Sequence, residues 1–283
     1  MATAVTSAPP RAKGGVPVLV IAGSVAAGLV VLLVLFGGWI TPHDPAEQDL
    51  LLGAAGPGPG HPLGTDSLGR DVLSQLIAGT RIAVTGPLVV AAGTVLIGAT
   101  LGMIAAYYGG VVDAVTNRFA DLMYALPGLL VIIVVVGVVG GGYWFAVAVL
   151  TVLSVPAEIR LCRSATLVQT RLPYIEAART LGLSGPRIMF RHILPNIAPT
   201  VIATFLLDFV GALIGLSGLS FLGLGTPPGT PDWGAMLQEG QALLTVNPWM
   251  SLAPGLMIIV TAAGVTLIGD WMYDRYSSRG EQR

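Results

Sequence analysis

Residues 171–196 read RLPYIEAARTLGLSGPRIMFRHILPN. Arg171, Glu176, Arg179, Arg187 and Arg191 make the stretch too polar for hydrocarbon, where a central charge costs about 2.5–3.5 kcal/mol on insertion scales. Its neighbours are the opposite: residues 143–157 before it and 197–222 after it are predominantly apolar. A polar connector between two such runs links two membrane spans, and its own pattern says how it folds. Pro173 suits a first helical turn, where a missing N–H costs little. Gly182 suits a helix C-terminus, which favours a left-handed residue. Ser184 can cap a second short helix with Pro186 in its first turn, and that helix has to end before Pro195. The expectation is two short helices joined at 182–185. Ala177 and Ala178 give the first of them a smooth face for another protein, and Glu176 offers a charge to partner arginines.

Composition extends this reading to the whole chain. Of 283 residues, 54% are hydrophobic and 10% charged, against about 25% charged in soluble domains. The mean hydropathy is +0.80. Such a chain cannot cover a water-facing surface, but it can face lipid. A hydrocarbon core of about 30 Å needs roughly 20 apolar residues. Six stretches qualify: 16–40, 82–108, 122–139 with a polar start at 113–121, 143–157 continuing as helix through 158–165, 197–222, and 251–268. Trp249 and Trp271 bracket the last one as interfacial anchors. The expected fold class is all-α and polytopic, with six transmembrane helices. Arg11 and Lys13 precede the first run, which is too long for a cleaved signal segment and lacks a small-residue cleavage site after it, so it reads as an uncleaved anchor.

Lysine and arginine orient the chain. With the N-terminus in the cytoplasm, twelve of the fourteen basic residues fall on cytoplasmic segments, and only Arg70 and Arg81 fall outside. Both termini are then cytoplasmic. The expected division is a disordered tail at 1–15, a span at 16–40, an extracytoplasmic segment at 41–81, a transmembrane core at 82–272 that includes the cytoplasmic loop 171–196, and a cytoplasmic tail at 273–283. Within 41–81, a Gly/Pro-rich stretch precedes a helix that Asp66 can cap. Its apolar face is Leu68, Val72, Leu73, Leu76 and Ile77, and it is expected to lie on the outer membrane surface. Residues 223–250, rich in Gly and Pro, form an outer loop.

Glu176-Ala177-Ala178, three residues, Gly182, then Leu194-Pro195 resembles the EAA loop of ABC-importer membrane subunits. His192 stands where the usual pattern has Ile, and the run from His192 to Asn196 is similar to the dipeptide/oligopeptide permease branch. Other pieces agree, in order along most of the chain: His61-Pro62-Leu63-Gly64-Thr65-Asp66, Gly69-Arg70-Asp71-Val72-Leu73, Ala125-Leu126-Pro127, Leu219-Ser220-Phe221-Leu222-Gly223-Leu224-Gly225, Trp233-Gly234, Pro248-Trp249 and Gly269-Asp270. The chain looks like the second, "C" membrane subunit of that family. The resemblance implies a type I ABC-importer permease fold in a bacterial cell membrane. It implies ATPase coupling through Glu176, Ala177, Ala178, Gly182, His192, Leu194 and Pro195. It also implies a second, homologous permease subunit, two ATP-binding domains docked on the loop and an extracytoplasmic substrate-binding protein. ATP and Mg would sit on the ATPase subunits, with no cofactor in this chain. The implied cargo is a di- or oligopeptide, with nickel chelates, glutathione or haem as alternatives in the same branch. Leu216 departs from the pattern, because many such subunits have a Glu there. Any role of that Glu in handling substrate is absent or moved in this chain.

The remaining candidates are few. Asp208 lies mid-span and should face protein or water. It is either a translocation-path residue or a structural hydrogen-bonder to a neighbouring span. His43, His61 and His192 are scattered without metal-ligand spacing, so no metal site is expected. Cys162 is the only cysteine, which excludes an internal disulfide. A phosphate-binding loop needs Gly-Lys-Ser/Thr, and the only lysine, Lys13, precedes Gly14-Gly15-Val16. No catalytic Ser/His/Asp set is present either. The chain reads as no enzyme, with ATP hydrolysed by other polypeptides and no nucleic-acid partner. An ion-coupled secondary transporter, the rival of another class, would want titratable groups in several spans, and only Asp208 is clearly central.

Overall fold

The computed structural model describes residues 18–280. The tail expected at 1–15 and residues 281–283 lie outside the described residues. Ten α-helices follow one another: α1 (Val18–Ile40), α2 (Val72–Tyr108), α3 (Gly110–Tyr124), α4 (Gly128–Val139), α5 (Gly142–Thr170), α6 (Pro173–Thr180), α7 (Gly185–Ile188), α8 (Leu194–Phe221), α9 (Trp233–Gly240) and α10 (Trp249–Gly280). Strand-like pairing among the described residues is limited to two isolated bridges.

Among the described residues, five helical runs are long and apolar enough to cross a membrane: α1, α2, α5, Gly185–Phe221 and Trp249–Arg275. Counting the bent pair α3–α4 as one span gives six. That pair covers the third span, expected at 122–139 with a polar start at 113–121, and breaks it in two. Its halves meet at 75°, because Pro127 lacks an N–H and disfavours helix at Leu126. With 12 residues, α4 is only about 18 Å long and cannot cross alone.

In the bundle, α2 is central, packing along α5 and touching α8, α1, α3 and α9. Small residues let the backbones close up. A Cβ on Gly98 would come within 2.6 Å of Glu158 Cβ, and one on Gly102 within 2.6 Å of the Ile159 carbonyl oxygen. Where α1 crosses α10, a Cβ on Gly264 would lie 2.9 Å from the Gly23 carbonyl. Between helices in lipid such close approach replaces the hydrophobic drive available in water.

The segment before α2 differs from expectation. No separate interfacial helix forms on 66–77. Instead α2 starts at Val72, and Val72 and Leu76 are buried in its first turns. Asp71, not Asp66, is the N-cap, accepting from Ser74 N at 2.8 Å. Asp66 closes a tight turn instead. Its Oδ1 accepts from Leu68 N and Arg70 N, and its Oδ2 accepts from Arg70 Nε at 2.6 Å and Gln75 Nε2 at 2.8 Å. Arg70 reaches on to Glu239 Oε2 at 3.1 Å. Burial pushes the Glu239 carboxyl up, and Arg70 opposes that shift. Asn247 donates to the Leu63 and Thr65 carbonyls, and Trp233 Nε1 to the Leu76 carbonyl. These bonds tie residues 63–70 and the start of α2 to the loop that carries α9. His43 and His61, scattered in sequence, stack with ring centroids 4.9 Å apart. Burial alone would raise the Asp71 carboxyl, yet hydrogen bonds from Ser74 and His61 and the nearby His43 hold it below the usual carboxylate range. At the other end, helix continues to Gly280 where a tail was expected from 273. No Pro or Gly interrupts it between Gly269 and Gly280.

Candidate functional site

Residues 171–196 fold as a helical hairpin on the end of the bundle. Leu172 enters extended, at φ −83° and ψ 143°, because Pro173 follows it. Then α6 ends in paired reverse hydrogen bonds: Gly182 N donates to the Arg179 carbonyl at 2.9 Å and Leu183 N to the Ala178 carbonyl at 3.2 Å. This Schellman arrangement needs a left-handed residue, and Gly182 supplies it with φ 75°.

The second arm departs from two separate short helices. Ser184 occupies the N-cap position of α7, but its side chain makes no capping hydrogen bond. Nor does the helix stop before Pro195. A π turn at Met189–Ile193 follows α7 directly, and the Leu194 N–H bonds the Met189 carbonyl. Pro195 then falls in the first turn of α8. The wider turn absorbs a residue with no N–H to give, as single π turns inside helices do. Gly185–Phe221 is therefore one helical run.

The hairpin has an inner and an outer face. Ile175, Ala178, Ile188, Met189, Ile193 and Ile197 are buried with Met103 of α2, against Ile104, Tyr107 and Ala165. Ala178 is only 6% exposed. The smooth partner face expected from Ala177 and Ala178 is thus Ala177 alone. Positions three apart, Ile175 and Ala178, share the inward face of a helix, and the residue next to them turns away. On the outer side Glu176, Ala177, Gly182, Arg187, Arg191 and Pro195 are exposed, while His192 and Leu194 are half-buried. Sequence reading missed two apolar members of this face, Leu181 at 79% and Phe190 at 52% exposed. Arg179 packs back, its guanidinium 4.7 Å from the Tyr107 ring centroid. Asn196 Nδ2 bonds the Tyr174 hydroxyl at 3.3 Å and the His192 carbonyl at 2.6 Å, tying α6 to the start of α8. Burial raises the Tyr174 hydroxyl's pKa, against the lowering effect of Asn196. The outer side of this platform thus carries two exposed apolar side chains, Leu181 and Phe190, together with Glu176, Arg187 and Arg191.

Asp208 is far along α8 from this platform. Its Oδ2 is buried without a hydrogen-bond partner within this chain. Glu158, which sequence reading passed over, is buried nearby on α5. Its Oε1 accepts from Thr204 at 3.1 Å and from Cys162 at 2.9 Å. Leu216 is 2% exposed and sits among Val90, Ile132, Val136 and Tyr143.

Comparison with known proteins adds a framework. The profile of the family described as "Binding-protein-dependent transport system inner membrane component" matches residues 98–281. The chain is 38% identical to the glutathione transport system permease protein GsiD of Pectobacterium atrosepticum, covering 89% of this chain and 85% of that one. It is 35% identical to the dipeptide transport system permease protein DppC of Haemophilus influenzae, covering 90% and 88%. Its fold is similar to that in an inward-facing structure of the MetNI methionine ABC transporter, with a TM-score of 0.56 at 16% identity over 71% of this chain and 96% of that one.

Proposed function

We infer the role of this chain from one premise: it belongs to the binding-protein-dependent transport system inner membrane component family, and is a multi-pass permease subunit of an ABC importer. The cargo we assign is a small peptide. Relatives named for dipeptide and glutathione transport both support that class, and glutathione, itself a tripeptide, is the second reading. In this proposal the chain lines half of the pathway beside a homologous permease subunit. A substrate-binding protein delivers cargo from outside, and two ATP-binding domains dock on 171–196 from the cytoplasm. Hydrolysis belongs to those domains, whose ATP and Mg are not held here. Both termini are cytoplasmic, as the basic-residue asymmetry supports.

One observation carries the coupling role. The exposed pair Leu181 and Phe190 sits on a hairpin whose second arm runs without a break into the membrane-spanning α8. Both side chains would leave water if a partner docked on the hairpin. Its continuity with α8 gives the contact a route into the pathway. ATP-driven uptake of a labelled dipeptide and of glutathione by proteoliposomes with the complete set of subunits tests the proposal. Uptake of at least one, and its loss in Glu176→Lys together with loss of ATPase co-purification, is expected. Failure of both peptides to be carried refutes the cargo, and normal assembly and uptake in Glu176→Lys refutes the coupling role.

A further inference from the structure

His43 and His61 are brought together by the turn that precedes α2. The His43 backbone N–H donates to Ser74 Oγ at 3.0 Å, which fixes the chain just after α1 against the first turn of α2. His61 is held by reciprocal backbone bonds with Gly58. Both imidazoles point an Nδ1 at the same carboxylate. His61 Nδ1 is 3.0 Å from Asp71 Oδ1, and His43 Nδ1 is 3.8 Å from Asp71 Oδ2. The Asp71 carboxylate is almost fully buried and locked by Ser74 N and Oγ at 2.8 and 2.7 Å. His43 Nδ1 is itself buried and has no hydrogen-bond partner. Stripping a polar atom of water without a replacement costs about 1–3 kcal/mol.

We propose that His43, His61 and Asp71 form a binding site for one borderline divalent cation of the zinc type. One ligand atom from each residue can be chosen so that all lie within 4.8 Å of one another. A tetrahedral ion with bonds of about 2.0–2.1 Å wants ligand atoms about 3.3 Å apart, so small side-chain rotations close the set. The ion would take the place of the proton shared between His61 Nδ1 and Asp71, and would give His43 Nδ1 the partner it lacks. Two imidazole nitrogens and one carboxylate oxygen select zinc-like ions over calcium or magnesium, which prefer oxygen donors. Three protein ligands leave a fourth position for water. That position would open on a cavity of about 140 Å³ beside the cluster, which Asp44, Glu47 and Asp49 also line. Ser74 is the outer-sphere group that orients the carboxylate. The site concerns binding alone and stands or falls independently of the cargo.

The test is a titration of the full chain in lipid nanodiscs, purified without a polyhistidine tag and stripped of metal. Zn²⁺ is added in competition with a fluorescent chelator, and Co²⁺ serves as a spectroscopic probe. One Zn²⁺ per chain is expected, with the strong visible absorption of four-coordinate Co²⁺. His43→Ala, a change at a partly exposed side chain, should weaken binding at least about 100-fold while leaving the melting temperature of the metal-free chain close to wild type. His61→Gln should weaken it likewise. Absence of stoichiometric Zn²⁺ would overturn the proposal. Equal affinity for Mg²⁺, or binding lost in Glu47→Gln but kept in His43→Ala, would also overturn it, by assigning the ion to the acidic rim.

Discussion

Gly182 and Ala178 show how differently single residues are constrained. Nothing lies within 4 Å of a Cβ built on Gly182, so space does not restrict it; its φ of 75° does. A residue with a Cβ pays roughly 1–2 kcal/mol there, and Asn is among the exceptions that tolerate the region. Gly182→Asn should therefore keep peptide uptake near wild type, whereas Gly182→Val should lower it several-fold with the chain still inserted. Uptake and membrane-fraction immunoblots of both variants check this. Ala178 is constrained by packing. Ala178→Leu should destabilise by about 1–3 kcal/mol through overpacking, seen as a lower melting temperature. Ala177→Leu should leave that temperature alone and weaken ATPase co-purification. The left-handed glycine was legible in the sequence because its demand is local. Which alanine faces inward was not, because that depends on Met103 and Ile104 of α2, far away in the chain.

Helices are held at set distances by the glycines between them. A Cβ on Gly102 meets the backbone of α5 at two points one turn apart, the Ile159 carbonyl oxygen at 2.6 Å and Arg163 N at 2.9 Å, and backbone cannot rotate away. Gly102→Ala should force α2 and α5 apart and lower thermal stability by about 1–3 kcal/mol. Gly211→Ala, with nothing within 4 Å of its Cβ, should change it little; thermal unfolding in detergent separates the two. Span number and most span cores were legible from apolar runs alone. The start of α2 was not. Arg70, Arg81 and the acids around them made residues 66–81 look like a surface segment, and hydropathy cannot tell a helix leaving the membrane from one lying on it. Asp66 takes up Arg70 and Gln75 locally, but the bond from Arg70 to Glu239 that completes the set joins residues 169 positions apart. The bend at Pro127 was not read from the sequence either, because the apolar run from 122 to 139 continues across it.

For the whole molecule, orientation yields a direct check. Native Cys162 is buried, so cysteines introduced singly on the surface report alone. In intact cells a membrane-impermeant maleimide should label Gly58→Cys, and should reach Ser184→Cys only after the membrane is opened. Labelling of Ser184→Cys from outside would invert the topology. The family was legible because its short motifs are spread in order along the chain, whereas the pairing of His43 with His61 was not, since only the fold of 41–71 brings them together. The unbroken run from α7 through the π turn into α8 has a mechanical consequence. Gly185–Phe221 spans 37 residues, about 55 Å of rod at about 1.5 Å per residue. Ile188, Met189, Ile193 and Ile197 of that run are all packed in the Met103 cluster, so the platform and the start of α8 are held on α2 as one unit. A push on the platform would therefore reach the span through continuous packed helix, with no loop between them to absorb it.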